Sequence, residues 1–130
     1  MIASAKPTRA FKTRWFSKAA AKARIADEEL CEAVAQAMLG QIDDLGGGVF
    51  KKRLDKNRHR SIILARGGRN WFYTYLFAKK DRDNIDADEL AAFRDLADIY
   101  AAKTEESLLK ELAANELTEI CHDDEIQVQE

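Results

Sequence analysis

Residues 49–80 read VFKKRLDKNRHRSIILARGGRNWFYTYLFAKK, and this stretch decides the fold class. Apolar and aromatic runs bounded by turn residues predict strands at Val49–Leu54, Arg60–Arg66 and Asn70–Lys80. Gly67 and Gly68 supply a tight hairpin turn, because glycine tolerates positive φ. Consecutive strands joined by short loops pair antiparallel. The middle of the chain therefore predicts a small antiparallel sheet.

The segments before this sheet predict one strand and two helices. Arg9–Phe16 alternates and carries aromatic residues, which indicates a first strand. Ser17 is positioned to cap a short alanine-rich helix, and Asp27 to cap a second helix that stops at Gly40. Gly46-Gly47-Gly48 then breaks the chain before the second strand.

Two further helices are predicted after the sheet. Asp86 opens the first, and Glu89 follows at capping-box spacing. The residues expected on the buried stripe of this helix are Leu90, Phe93, Leu96, Ala97 and Tyr100. A last helix spans about Glu105–Ala114. The order β-α-α-β-β-β-α-α predicts an α+β fold, with two N-terminal helices packed on the sheet and two C-terminal helices after it.

The length indicates one domain, and the positive and negative charges are concentrated in different segments of the chain. The 130 residues carry a net charge of −2, and we expect one domain over residues 9–121, between a flexible basic N-terminus (1–8) and an acidic tail (122–130). Residues 51–82 hold eleven Lys and Arg against two acids, whereas residues 83–130 hold fifteen acids against three bases. Such segregation predicts a surface for an anionic partner, unless the two halves neutralise each other in the fold.

Several classes of protein and site are disfavoured. No apolar run approaches the length of a membrane helix, and no apolar segment follows the basic residues 1–8, so we expect a cytoplasmic protein without membrane contact. Cys31 and Cys121 are predicted to be buried thiols rather than a disulfide. His59 and His122 lack partners at ligand spacing, so we expect no metal and no cofactor.

The basic middle of the chain is suited to phosphodiester chemistry. Arginine holds phosphate through paired hydrogen bonds, and neighbouring aromatic rings can stack on unpaired bases. Tyr73 and Tyr75, however, are predicted to be core residues. In RNA the 2′-hydroxyl can attack the adjacent phosphate if the protein supplies a base, cations and an acid. A lysine crowded by other cations has a lowered pKa and can serve as that base.

Several segments together resemble the HigB-like branch of the RelE/ParE toxins of bacterial type II toxin–antitoxin pairs. They are FKTRWFSKA (11–19), DLGGGVFKKRLD (44–55), RSIILAR (60–66), WFYTYLFAKKDRDNID (71–86) with EL at 89–90, and LAANELTEIC (112–121). The resemblance covers roughly residues 9–121. It implies two helices packed on a small antiparallel sheet.

The resemblance also implies function, because active members cleave mRNA, often in the ribosomal A site. Matching its motifs to this chain gives the catalytic candidates Lys52, Arg53, Arg60 and Lys80. The expected RNA contacts are Lys51, Arg66, Lys79, Arg82 and His59. The implied partners are mRNA, in some relatives the ribosome, and a cognate antitoxin, expected to be a small helix-turn-helix protein.

Alternatives to a nuclease stay open on the sequence alone. RDNIDAD at 82–88 has no tyrosine where related toxins carry one, and the loop DKNRH at 55–59 is shorter than in close relatives. Both features favour a non-catalytic toxin, either an inhibitor of a protein target such as gyrase or a regulatory nucleic-acid-binding module. The basic residues can also be a solvated strand edge, with Arg60 paired to Asp81 or Asp83.

Overall fold

The computed structural model of the protein describes residues 8–66 and 69–121. The predictions of a flexible N-terminus, a Gly67–Gly68 turn and an acidic tail containing His122 fall on residues outside these ranges, apart from Thr8. Within them the chain forms β1 (Arg9–Thr13), α1 (Arg14–Ala23), α2 (Asp27–Met38), β2 (Asp43–Gly46), β3 (Val49–Leu54), β4 (His59–Leu64), β5 (Asn70–Ala78), α3 (Ala87–Ala101), α4 (Glu105–Ala113) and β6 (Leu117–Ile120). The α+β prediction is confirmed.

The strands form one mixed sheet in the order β2-β3-β4-β5-β1-β6. Every neighbouring pair is antiparallel except β1 and β5, which run parallel with Ala10 opposite Trp71. The predicted antiparallel pairing of β3, β4 and β5 is confirmed. In the chain, α1 and α2 connect β1 to the rest of the sheet, and a parallel pair needs a long crossover connection of this kind.

Two apolar cores cover the two faces of the sheet. The first face, which packs against α1 and α2, contains Phe16, Leu30, Ile63 and Tyr73. The second face packs against α3 and α4, and its buried members include Phe11, Val49, Ile62, Leu64 and Leu108. All five residues predicted for the stripe of α3 pack on this second core. The predicted capping box of α3 is also present, with Asp86 and Glu89 each bonding the other's backbone N–H.

A bulge in β5 changes which aromatic residues share a face. Ile62 lies opposite Tyr75 but the next residue, Ile63, lies opposite Tyr73, so Thr74 is the extra residue of β5. Trp71 and Tyr73 consequently lie on the first face, whereas Tyr75 and Phe77 pack on the second. Strict alternation along β5 would place all four of these aromatic residues on one face. Tyr73 is fully buried and donates its hydroxyl to Leu30 O at 2.7 Å, as expected of a core residue.

Some predicted element boundaries were wrong. β1 ends at Thr13, whose side chain accepts from Phe16 N, so α1 begins three residues before Ser17. The predicted ends of the third and fourth strands extended two residues too far, since β4 ends at Leu64 and β5 at Ala78. The short strands β2 and β6 were not predicted. Each is four residues long and lies at an edge of the sheet.

The prediction of two free thiols was also wrong. Cys31 of α2 and Cys121, directly after β6, form a disulfide with their Cα atoms 5.4 Å apart. β6 pairs with β1, with Ile120 opposite Ala10, and Ile120 and Leu30 belong to the same core. The two cysteines follow directly after these two core residues, so packing brings together residues that are 90 positions apart in the chain.

Candidate nucleic-acid interface

Two arginines and a lysine meet on the second face of the sheet. Arg53 of β3 lies directly opposite Arg60 of β4, and Lys51 lies opposite Ile62. Side chains alternate along a strand, so Lys51 and Arg53 share a face with Val49, and Arg60 shares a face with Ile62. Val49 and Ile62 both belong to the second core, which identifies this face as the second one. None of the three cations forms an ion pair with a carboxylate in the described part of the chain. We call Lys51, Arg53 and Arg60 the arginine cluster.

Arg60 is held rigidly within this cluster. Only 7% of it is exposed. Its Nη1 donates to the carbonyl oxygens of Asn57 and His59 at 3.0 and 3.3 Å, and its other guanidinium nitrogens donate to no acceptor among the described residues. A guanidinium fixed by two carbonyls keeps its positive charge and retains donors for an anion. The predicted alternative pairing of Arg60 with Asp81 or Asp83 does not form.

The turn between β3 and β4 shapes one end of the cluster. Asp55, Lys56 and Asn57 all adopt left-handed backbone conformations, with φ of 56°, 52° and 73°. Asp55 accepts from Arg58 at 2.9 Å and contacts His59 Nδ1 at 3.0 Å. The bond from Arg58, followed by that from His59, holds the pKa of Asp55 below its ordinary value. Arg58 and His59 thus neutralise Asp55, while Lys56 has no ion-pair partner in the part of the chain that the structure describes.

Phe77 separates the cluster from another arginine, Arg82. Arg60 lies opposite Phe77 in the β4–β5 register, and the guanidinium carbon of Arg82 lies 5.6 Å from the centre of the Phe77 ring. Arg82 is also paired with Glu89, with Nη1 3.1 Å from Oε2. This pairing raises the pKa of Arg82 and lowers that of Glu89. Arg82 is therefore close to the arginine cluster, but its guanidinium is already paired with a carboxylate.

Lys79 and Lys80 line a separate basic pocket at the end of the sheet. This pocket, of about 720 Å³, is also lined by Lys56, Arg58 and His59. No ion pair reaches Lys56, Lys79 or Lys80 in the described residues, so the pocket carries net positive charge. We call it the lysine pocket. It contains three of the predicted RNA-contacting or catalytic residues, namely His59, Lys79 and Lys80.

Lys52 lies on the opposite face from the arginine cluster. Its neighbours Phe50 and Leu54 pack in the first core, and its Nζ donates to Gln41 O at 2.8 Å. Burial lowers the pKa of Lys52, and the charge of Arg53 lowers it further against the attraction of Asp43. The structure thus gives Lys52 the lowered pKa expected of a base but does not bring it to Arg60.

Arg66 is distant from both basic sites in the fold. It follows β4 at the end opposite the β3–β4 turn, and its Nε lies 3.2 Å from Asp98 of α3. Other charges of the two halves pair directly, since Arg9 bonds Glu105 and Glu119, and Arg14 approaches Glu116. Neutralisation between the basic and acidic segments is real at these positions. Within residues 8–66 and 69–121 it does not extend to the arginine cluster or the lysine pocket.

A model of a known protein family matches most of the chain. Residues 8–120 match the family model described as the RelE toxin of the RelE/RelB toxin–antitoxin system. The chain belongs to the RelE toxin family. Comparison with curated proteins and with solved structures yields no significant match. None of the helices in residues 8–66 and 69–121 has both the length and the apolar composition needed to cross a bilayer.

Three residues of this RelE-family toxin were missed by sequence reasoning. Lys56 and Arg58 line the lysine pocket but lie in a loop whose path the sequence does not reveal. Trp15 was assigned to a strand, yet it lies in the first turn of α1 with 51% of its surface exposed. The sequence signal for this helix start is Thr13, a good N-cap residue that lies two positions before Trp15.

Proposed function

We propose that this toxin is an endoribonuclease of the HigB-like branch that cleaves mRNA in the cytoplasm by attack of the RNA's own 2′-hydroxyl. The observation that carries the proposal is the register pairing of Arg53 with Arg60, beside Lys51 and without a carboxylate partner in residues 8–66 and 69–121. Like charges directly opposite each other destabilise a sheet. An anion bound between them removes that penalty, and a phosphodiester is an anion that guanidinium groups bind through paired hydrogen bonds.

The chemistry needs only charge and proton transfer. The 2′-oxygen bonds to phosphorus while the bond from phosphorus to the 5′-oxygen breaks, giving a 2′,3′-cyclic phosphate and a 5′-hydroxyl. The proton leaves the 2′-hydroxyl, and one proton is delivered to the 5′-oxygen. We assign to Arg53 and Arg60 the stabilisation of the negative charge that builds on the phosphate. Lys51, the amine on the same face, is assigned the role of base toward the 2′-hydroxyl.

The lysine pocket supplies contacts to flanking phosphates in this proposal. Lys79 and Lys80 adjoin β5, the strand that carries Phe77 opposite Arg60, so a single RNA strand can pass from the cluster to the pocket. Lys52 remains a candidate on sequence grounds, because it lies on the face opposite the arginine cluster and can reach the RNA only from that side. A cognate helix-turn-helix antitoxin is proposed to neutralise the toxin by covering the cluster with an acidic segment, because carboxylates pair with the same cations.

Induced expression in a bacterial host tests the proposal. The wild-type toxin should arrest growth, and primer extension should reveal new 5′ ends within translated transcripts. The double variant Arg53→Ala, Arg60→Ala should lose both effects, whereas Lys110→Ala, at an exposed cation on α4, should keep them. Growth arrest with intact transcripts would contradict a nuclease and favour inhibition of a protein target. Unchanged cleavage in the double variant would contradict the assigned site.

A further inference from the structure

Trp15, which is half exposed, lines a second cleft. Trp15 packs on Tyr75 with ring centres 5.1 Å apart, and Tyr75 packs in turn on Phe77 at 5.8 Å. These contacts form a continuous aromatic path from α1 to the residue opposite Arg60. The cleft, of about 470 Å³, lies between α1 and the end of β5. Half of Trp15 stays exposed although Tyr75 packs against it.

Charges at this cleft suit a nucleotide better than an apolar partner. Lys22 and Arg82 line it together with a single carboxylate, Asp81. His59 and Ala78 line both this cleft and the lysine pocket, so the two cavities adjoin. An aromatic surface for the base next to positive charges for the phosphate is an arrangement that proteins use to bind single-stranded RNA, and Lys22 supplies such a charge here while Arg82 is paired with Glu89.

We propose that Trp15, supported from behind by Tyr75, stacks on an unpaired base of the RNA and holds it next to the cleaved phosphate. This inference rests on the proposed nuclease function and extends it by assigning a base-recognition residue. Trp15 is a positioning residue, because it does not reach the reacting atoms.

Fluorescence can report this contact directly, because the chain has two tryptophans and the other, Trp71, is only 7% exposed. The probe is 2′-O-methyl oligoadenylate, which binds without being cleaved, compared with an abasic oligomer of the same length. The base-containing oligomer should quench the emission of the full chain, whereas the abasic one should not. Trp15→Phe should remove the quenching and leave the emission of Trp71.

Binding measurements then separate stacking from phosphate recognition. Trp15→Ala should weaken oligoadenylate binding by about tenfold, the usual effect of losing one stacked base, and leave abasic binding unchanged. Arg53→Ala should weaken both. Leu109→Ala, at an equally exposed apolar residue on α4, should weaken neither. Thermal unfolding of each variant establishes that it is folded, and Trp15→Phe, which keeps a ring, should bind better than Trp15→Ala.

The outcomes distinguish this inference from the function on which it rests. Normal oligoadenylate binding by Trp15→Ala, together with impaired binding by Arg53→Ala, would overturn the stacking role and leave the nuclease proposal standing. Quenching by polyglutamate but not by oligoadenylate would assign the cleft to a protein partner and would also overturn it. A wild-type chain that binds no RNA would overturn both.

Discussion

Arg53 lies directly opposite Arg60 across β3 and β4, and neither guanidinium has a carboxylate partner among the described residues. A protein optimised for stability alone would place an acid or an apolar residue at one of these positions. Keeping two like charges face to face costs roughly 0.2–1 kcal/mol. We interpret this cost as the consequence of a site that is complete only when an anion binds.

Replacing Arg53 with threonine should therefore stabilise the free protein. Arg53→Thr removes the repulsion and keeps a residue that favours strands, so the free energy of unfolding should rise by roughly 0.2–1 kcal/mol at low ionic strength. Urea denaturation in low and high salt measures this. The gain should shrink in high salt, because salt screens exposed charges. A stability loss that is independent of salt would show that Arg53 is structural.

Reducing the disulfide should destabilise the fold. Cys31 and Cys121 close a loop of about 90 residues, and constraining a chain of this length corresponds to roughly 4 to 5 kcal/mol. The double variant Cys31→Ser, Cys121→Ser should show this loss in urea denaturation, and a reducing agent should cause a similar loss in the wild type. Reductant should have no effect on the double variant. Equal stability of the oxidised and reduced wild type would contradict the expected contribution.

Stability should fall in acid partly through Glu89. The bond from Arg82 lowers the pKa of Glu89 below its ordinary value of 4.5, so the unfolded chain binds this proton more readily than the folded one. The contribution of Glu89 is complete above about pH 4.5 and is lost as the pH drops through the lower pKa of the folded state. Glu89→Gln keeps the capping box but does not titrate.

Thermal unfolding as a function of pH measures this effect. Between neutral pH and pH values below 4.5, the melting temperature of Glu89→Gln should fall less than that of the wild type. Glu106→Gln is a matched control in the first turn of α4, where the carboxylate is largely exposed, and it should follow the wild type. Identical acid profiles of Glu89→Gln and the wild type would contradict the role of the Arg82–Glu89 pair.

Local patterns in the sequence predicted most of the elements but not their assembly. The strand at Val49–Leu54 and the capping box of α3 were predicted correctly, because turn residues and caps act over a few positions. β2, with the sequence DDLG, has little intrinsic preference for a strand and forms only because β3 pairs with it. The parallel β1–β5 pair and the Cys31–Cys121 disulfide depend on contacts that are distant in sequence.

The sequence predicted which types of residue form the candidate site, but not how all of them are arranged. Period-two alternation along β3 is enough to place Lys51 and Arg53 on the face opposite Lys52, because no bulge interrupts β3 opposite β4. In β5 the bulge at Thr74 moved Tyr75 and Phe77 to the face of Arg60, which alternation alone does not reveal. The lysine pocket depends on three left-handed residues in the β3–β4 turn. Such a turn is not encoded by a recognisable motif.

Cleavage of an mRNA containing one 2′-deoxynucleotide tests the central claim most directly. The purified toxin is incubated with translating ribosomes and end-labelled mRNA, and the cleavage position is mapped. If the cations of the arginine cluster promote attack by the 2′-hydroxyl, removing that hydroxyl on the 5′ side of the cleaved bond abolishes cleavage there, and Arg53→Ala, Arg60→Ala abolishes it in unmodified mRNA. Continued cleavage at the deoxy position, or undiminished cleavage by the double variant, would contradict the account.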